Sequence, residues 1–344
     1  MLKNLGVKIR IVRESLHLTQ EQVSKGTGLS SEFISLIEKG ERFPSLDSIE
    51  KISNYLNKNT SYFFEEEQDP FEMMMKDKGI TKAMKSELKT FRKYCQEYMH
   101  MENTLRNTVE EAPLYSGASP EAMADEERKR LGLGIQPVRD VFSLIESNGL
   151  RILRQNIKKG VEIAGAFVYF KEHKAGFALI NTAQSYSKQL ITAAHEYCHY
   201  LKDREFICIL DNTDIFVDDY LPLYPSREKF AHLFSLNFLV PDARIKWFVN
   251  KELQKKKMKI EDIIRLKRNL EMPIEIVLKA LLRIKYISAS EYKEYSKTDY
   301  LDYEKSLFGY IKAEKAPYEK KAKVIPSDRY KTLAVKVLKK GNSG

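Results

Sequence analysis

Apolar side chains in residues 1 to 66 recur every three or four positions, the period of helices with one buried face. Leu5, Ile9, Val12 and Leu16 mark a first helix, and Thr19 and Gln22 form a T-x-x-Q capping box that opens a second. Gly26-Thr27-Gly28-Leu29 reads as a turn. Ser30 caps a third helix, Ser31 to Glu38, which stops at Lys39-Gly40. Pro44-Ser45 precedes a fourth, with Leu46, Ile49, Ile52 and Leu56 expected to face inward. After the break at Glu65-Glu66-Glu67 and Asp69-Pro70, the run KAMKSELKTFRKYCQEYMHMENTLRNTV holds neither Gly nor Pro and predicts one long helix. Met73 to Met75, Tyr94, Cys95, Tyr98 and Met101 make its soft apolar stripe, suited to a spacer packed on a neighbouring domain or to dimerisation.

Beyond residue 117 the period changes. GLRILRQN, VEIAGAFVYF and AGFALIN read as strands of a small sheet, and QLITAAHEYCHYLKDRE follows the last of them as a helix. SREKFAHLFSLNFLVP predicts another helix, capped by Ser226, with Ala231, Phe234 and Phe238 as its stripe. The stretch Asp203 to Ser226 between them is either a flap over a cleft or a packed loop. Two helices separated by Met272-Pro273 and a last basic helix, DRYKTLAVKVLKKGNSG, complete the chain. The pattern therefore predicts an all-α unit (1–66), a helical linker (67–116), an α+β domain with a helical end (117–290) and a basic, mostly helical tail (291–344).

Composition narrows the class. At 344 residues and 43% hydrophobic the chain can bury a substantial core, and it has no run of eighteen apolar residues and no signal-peptide-like start. Cys95, Cys198 and Cys208 are too scattered for a disulfide framework, which points to a reducing cytoplasm and to no membrane partner. The net charge of +10 lies at the C-terminal end: residues 1–66 hold nine basic and nine acidic side chains, whereas 245–344 hold 25 and 13. Most such C-terminal lysines make a solvated face; contact with nucleic acid is the alternative.

The chemistry centres on His195-Glu196-Tyr197-Cys198-His199. Histidines four apart on a helix share a face and can reach one metal ion, with Glu196 placed as general base. The alternative is a pair of buried core histidines. A third ligand decides between the two, because catalytic zinc takes three protein ligands and leaves one position for water. Glu228, in the first turn of the following helix, is the preferred third ligand; Glu205 stands at a metzincin-like spacing but lacks the Gly that such sites place where Lys202 stands. His232, one turn after Glu228, is a hydrogen-bonding support for the ligands or, less simply, a ligand itself. Tyr186, Tyr220 and Tyr224 are candidate transition-state donors.

With these residues in place, the run from Glu121 to Pro241 resembles the ImmA/IrrE family of metallopeptidases. That family couples HExxH to E-x-x-A-N/D-x-F-A and an L-L-M-P-like end, here Glu228-Lys229-Phe230-Ala231-His232-Leu233-Phe234-Ser235 and Phe238-Leu239-Val240-Pro241. Cys198 stands where the family often has Gly, and His232 where it has Asn or Asp. The resemblance implies a zincin-like fold with one zinc per chain held by His195, His199 and Glu228, and peptide-bond hydrolysis with Glu196 as base and then acid. LTQEQVSKGTGLSSEFISLIEKGERFPSLDSIEKIS is similar to the XRE-type helix-turn-helix of Cro-like repressors. That resemblance puts Ser31, Glu32, Phe33 and Ser35 near base edges of a double-stranded DNA operator, and Gln20, Lys39 and Arg42 near phosphates. Weak half-sites imply a homodimer on DNA. The expectation is a cytoplasmic DNA-binding regulator fused to a zinc endopeptidase domain that cleaves a partner protein, a helix-turn-helix repressor. The alternative is a repressor or antitoxin-type regulator whose peptidase fold serves as a sensor.

Overall fold

The computed structural model describes residues 2–16, 18–64, 71, 75, 80–204, 208–211, 226–253, 258–311 and 322–341. The chain separates into two compact units, Met1–Asp69 and Pro70–Gly344.

The first unit is helical: α1 (Leu2–Ser15), α2 (Gln20–Thr27), α3 (Ser31–Glu38), α4 (Leu46–Tyr55) and α5 (Thr60–Phe64). Thr19 caps α2 in a full capping box with Gln22, Ser30 caps α3 and Ser45 caps α4, so each start is fixed by a side chain that accepts an otherwise unpaired N–H. Gly28 ends α2 at φ 71°, a left-handed conformation that glycine adopts without strain. Leu5, Ile9, Val12, Val23, Ile34, Ile37, Ile49, Ile52 and Leu56 fill one core. Beneath it, Arg13 on α1 donates to both carboxylate oxygens of buried Glu38 on α3, at 2.6 and 2.9 Å, and locks the two helices in register. Two positions expected to face inward do not. Leu46 is 73% exposed because it opens α4 and overhangs its first turn, and Leu16 is 47% exposed because α1 stops one residue before it.

The second unit is α+β. Its mixed sheet of five strands runs β4-β2-β3-β1-β5, from β1 (Leu150–Gln155), β2 (Gly165–Phe170), β3 (Ala175–Asn181), β4 (Cys208–Asp211) and β5 (Val324–Pro326). β1 lies parallel to β3, while β2 pairs antiparallel with β3 and β4, and β5 antiparallel with β1. Every residue of β2 and β3 is buried, so both faces of the sheet must be covered. On one face Ala178 and Ile180 join a core that includes α7 (Pro120–Arg130), α8 (Val141–Ser147), α9 (Tyr186–Lys202) and α10 (Ser226–Leu239). This core continues through α11 (Asp242–Phe248), a π-helical turn (Val249–Leu253), α12 (Ile260–Leu270), α13 (Ile274–Arg283), α14 (Ala289–Tyr295) and α15 (Tyr300–Phe308).

On the other face Phe177, Leu179, Leu153 and Val168 meet α6 (Lys82–Leu105) and α16 (Asp328–Gly341). The helix expected as a linker thus buries Leu88, Phe91, Tyr94 and Tyr98 against the sheet. The segment expected as a tail supplies an edge strand and a second covering helix, with Leu333 buried and Tyr330 stacked on Tyr94. Arg151 on β1 and Arg329 on α16 both bind Glu102 of α6, at 2.7 and 2.5 Å, and close this layer with a buried ionic cluster. Met73 and Met74 of the expected stripe, Glu205, and most of Asp203 to Ser226 lie outside the described residues.

A protein cut to residues 117–290 would expose the apolar face of β1, β2 and β3. We expect it to aggregate or bind a hydrophobic dye, while residues 80–341 unfold cooperatively. Gel filtration and thermal melts of the two fragments check this, and a soluble, cooperatively folded 117–290 fragment would contradict it.

Candidate metal centre and nucleic-acid face

The HEYCH segment forms the C-terminal half of α9, whose start is capped by Ser185 and whose sequence contains no helix breaker. His195 and His199 are four apart and fully buried, and their Nε2 atoms lie 3.0 Å apart. Glu228, in the first turn of α10, brings Oε2 to 3.1 Å from His195 Nε2 and 3.3 Å from His199 Nε2. These are the residues among those described whose donor atoms form a metal-sized group. Zinc–ligand bonds of about 2.0–2.1 Å at tetrahedral angles separate neighbouring ligand atoms by roughly 3.3 Å, close to the spacings here. The three residues therefore fit a divalent ion without rearrangement.

Their orientation is fixed from outside. His199 Nδ1 lies 2.8 Å from Asp203 Oδ2, a buried carboxylate one turn on, which fixes the ring with Nε2 facing His195 and Glu228. Arg227 donates from Nε to Glu228 Oε1 at 3.0 Å, so one oxygen of that carboxylate is engaged and the other faces the histidines. Burial works against ionisation of Glu228, but its hydrogen bonds to His195 and His199 outweigh burial and hold its carboxyl far below the usual range.

Glu196 is fully buried and lies against β2, where a side chain on Gly165 would put its Cβ 2.3 Å from Glu196 Oε1. Gly165 is the gap in the sheet that admits this carboxylate. Burial raises the Cys198 thiol well above its ordinary value, which makes it a packing residue in place of a nucleophile.

Two consecutive residues of α7 hold the ligand helices in place. The buried Glu127 carboxylate accepts from Tyr197 of α9, from Tyr115 at 2.8 Å and from Arg130 at 2.7 Å. Arg128 donates to the carbonyls of Phe238 near the end of α10, Gly134 and Gln136, and burial lowers its guanidinium to about 10. Arg204 ties the end of α9 by donating to the Tyr200 carbonyl at 2.7 Å.

His232 is buried on α10 but is not one of the converging group; the partner that the structure gives to His199 is Asp203. Asp203 and Arg227 escaped the sequence reading, although each has a positional signal, one turn after a ligand histidine and next to the ligand glutamate. Tyr186 opens α9 nine residues before His195, about 13 Å along the helix, and packs at a tilt against Phe142 at the other end. Tyr220 and Tyr224 lie outside the described residues.

In the first unit, Ser31, Glu32, Phe33 and Ser35 all stand on α3, with Ser31 and Glu32 exposed. Lys39 at its C-cap and Arg42 beyond are exposed as well. The Arg42 guanidinium lies 4.8 Å from the Phe33 ring centroid, so these two side chains act together. Gln20 donates to Glu38 at 2.8 Å, which ties part of its amide to the α1–α3 ion pair. The exposed Phe43 beside Arg42 is a further surface residue that the sequence reading did not single out.

Residues 9–63 match the helix-turn-helix family model, and residues 146–282 match the IrrE N-terminal-like domain, a peptidase family. No curated protein matches the chain. Among solved structures, the apo form of the competence regulator ComR from Streptococcus vestibularis aligns over 90% of this chain and 93% of its own, at 15% identity and a TM-score of 0.17. So low a score establishes no common overall arrangement. Among the described residues no helix is long and apolar enough to cross a membrane.

Removing the group that orients His199 should weaken metal binding without abolishing it. Asp203→Ala is expected to lower zinc affinity by about 10–100-fold, whereas Glu228→Ala loses most of the metal. Gly165→Ala should keep the metal and displace Glu196. Competition titration with a chromophoric chelator measures all three, and unchanged affinity in Asp203→Ala would remove its assigned role.

Proposed function

Because the chain joins a helix-turn-helix domain to an IrrE N-terminal-like peptidase domain, we propose that it is a cytoplasmic DNA-binding regulator whose second unit is a zinc-dependent endopeptidase acting on a protein partner. The observation that carries the proposal is the convergence of His195, His199 and Glu228 within 4.8 Å, the two histidines standing on a helix that also buries the carboxylate of Glu196. These three residues would hold zinc. Bound there, zinc would activate water for attack and polarise a peptide carbonyl. Glu196 takes the proton from the attacking water and delivers it to the leaving amine, a double role open to a buried carboxylate for which Gly165 leaves room. Asp203 and Arg227 keep the ligand atoms aimed, so that little reorganisation accompanies the reaction.

The substrate we propose is a separate helix-turn-helix repressor, cut in trans. Carrying a DNA-binding unit on the same chain raises the local concentration of a protein bound at the same operator. Cutting its own α6 would require Phe91, Tyr94 and Tyr98 to leave the core first, because a zinc site holds an extended segment. A homodimer on a two-fold operator accords with a first unit that is electrically neutral and gains its affinity from two half-sites.

Glu196→Gln should retain about one zinc per chain and lose cleavage, while His195→Ala loses both. Wild type and Glu196→Gln, each with zinc, are to be incubated alone and with candidate repressors and followed by mass spectrometry. Intact repressors in both would leave the second unit as a sensor, and concentration-independent self-cleavage in wild type alone would overturn action in trans. For DNA, Ser31→Ala and Glu32→Ala should change sequence preference by about 1–3 kcal/mol. Arg42→Ala should weaken binding to all sequences and lower the salt slope by about 1. Equal binding of the same operator by residues 245–344 alone would contradict the assignment.

A further inference from the structure

α6 buries Met84, Leu88, Phe91 and Tyr94 against the sheet, and its opposite side is charged. Lys82, Lys89 and Lys93 are exposed and Lys85 is half-buried, at spacings of three and four residues that line them up along one outward stripe. Lys82, Lys85 and Lys89 make no ion pair or hydrogen bond among the described residues, and Lys93 has an exposed partner one turn on, Glu97 at 3.6 Å. The one acid between residues 82 and 96 is Glu87, which is 3% exposed and points inward, accepting from Gln155 of β1 at 2.7 Å.

A solvated helix face ordinarily mixes both signs. Here Lys82–Lys85, Lys85–Lys89 and Lys89–Lys93 are pairs of like charge one turn apart, and the first turn of α6 holds no acid to meet the positive end of the helix dipole. The stripe therefore works against the helix that carries it, and the buried inward face holds α6 in place regardless. An external polyanion relieves the repulsion.

From Lys82 to Lys93 the stripe rises about 16 Å, a length over which one strand of duplex DNA presents about five phosphates. No large apolar side chain is exposed among residues 82–96, so the stripe has nothing to sink into a lipid surface. The chain also carries a helix-turn-helix unit whose own charges balance, nine basic against nine acidic in residues 1–66. We propose that the outward face of α6 between Lys82 and Lys93 binds the phosphate backbone of duplex DNA without regard to sequence, adding affinity that the first unit's balanced charges do not supply. Because both lie on one chain, a bound first unit raises the concentration of duplex at the stripe. The choice of DNA as the polyanion rests on the DNA-binding reading of the first unit, whereas the stripe itself does not.

Full-length wild type and the triple variant Lys82→Gln, Lys85→Gln, Lys89→Gln are to be titrated by fluorescence anisotropy with a random-sequence duplex of about 40 base pairs, between about 50 and 200 mM salt. In the variant the slope of log affinity against log salt is expected to fall by about 2–3, and affinity at about 100 mM salt to weaken about tenfold or more. Its melting temperature should be no lower than that of wild type, since only like-charge repulsion is removed. The control triple Lys293→Gln, Lys297→Gln, Lys305→Gln, with the same change in net charge on α14 and α15, should keep the wild-type slope. Wild-type slope and affinity in the α6 variant, or an equal loss in the control, would overturn the proposal, as would loss of binding to phosphatidylserine vesicles with DNA binding unchanged. Arg42→Ala separates the two readings: weakened binding there with none in the α6 variant leaves the first unit's assignment standing and removes this one, and the reverse removes that assignment and keeps the stripe. A wild-type chain that binds no duplex removes both.

Discussion

Three lone-pair atoms from two helices must meet at about 3 Å, and much of the second unit is explained by that requirement. Two imidazoles and a carboxylate packed together away from water are costly to assemble, and their positions have to be over-determined by neighbours. α7 does this with adjacent residues, Glu127 holding α9 through Tyr197 and Arg128 holding α10 through the Phe238 carbonyl. Arg128 has no carboxylate in its hydrogen bonds. It is compensated by three carbonyl oxygens, and although burial lowers it to about 10 it stays charged at neutral pH. Asp203, Arg204 and Arg227 then fix the last turn of α9 and the first turn of α10, where the ligands stand.

What could be read from the sequence divides along the range of the interactions. HEYCH is a local signal, since two histidines four apart must share a helical face, and Glu228 is found because it opens the next amphipathic helix. The helix caps Thr19, Ser30 and Ser45 are local too, and each stands at the helix start that the sequence reading assigned. Gly165 carries no such signal. Its significance arises only when β2 lies beneath α9, and a lone glycine in a strand pattern can equally mark a bulge. Asp203 was within reach of the same four-residue rule that found the histidines, but lysine and aspartate after a zinc motif look like an ordinary solvated helix end. Leu46 shows the converse error: a correct period predicts a face, but at the first turn that face has nothing packed against it.

Charge behaves in the same way. The C-terminal basic excess suggests a nucleic-acid surface when counted along the chain. In the structure part of it is spent internally, Arg329 on Glu102, Lys267 on Glu304 and Arg283 on Asp242. The first unit, neutral by count, presents Lys39 and Arg42 on its surface and keeps one of its arginines, Arg13, for a buried bond to Glu38. Net charge therefore misleads in both directions until buried pairs are removed from the count.

The sheet explains why this peptidase-like domain needs chain well outside its motifs. β3 sends Ala178 and Ile180 toward the helices of the candidate site and Phe177 and Leu179 the other way, with every residue buried. The span that matches the family, 146–282, supplies helices for the first face only. The second is covered by α6, before it, and α16, after it, which also meet each other through Tyr94 and Tyr330. Burying one large side chain is worth about 1.5–3 kcal/mol, so a layer containing Leu88, Phe91, Tyr98 and Leu333 is comparable to the usual net stability of a domain before chain entropy is counted. A long amphipathic helix between two domains has the composition of a linker whether it spans solvent or roofs a sheet. The difference lies in an uncovered strand face some eighty residues further on, and the helical period alone does not report it.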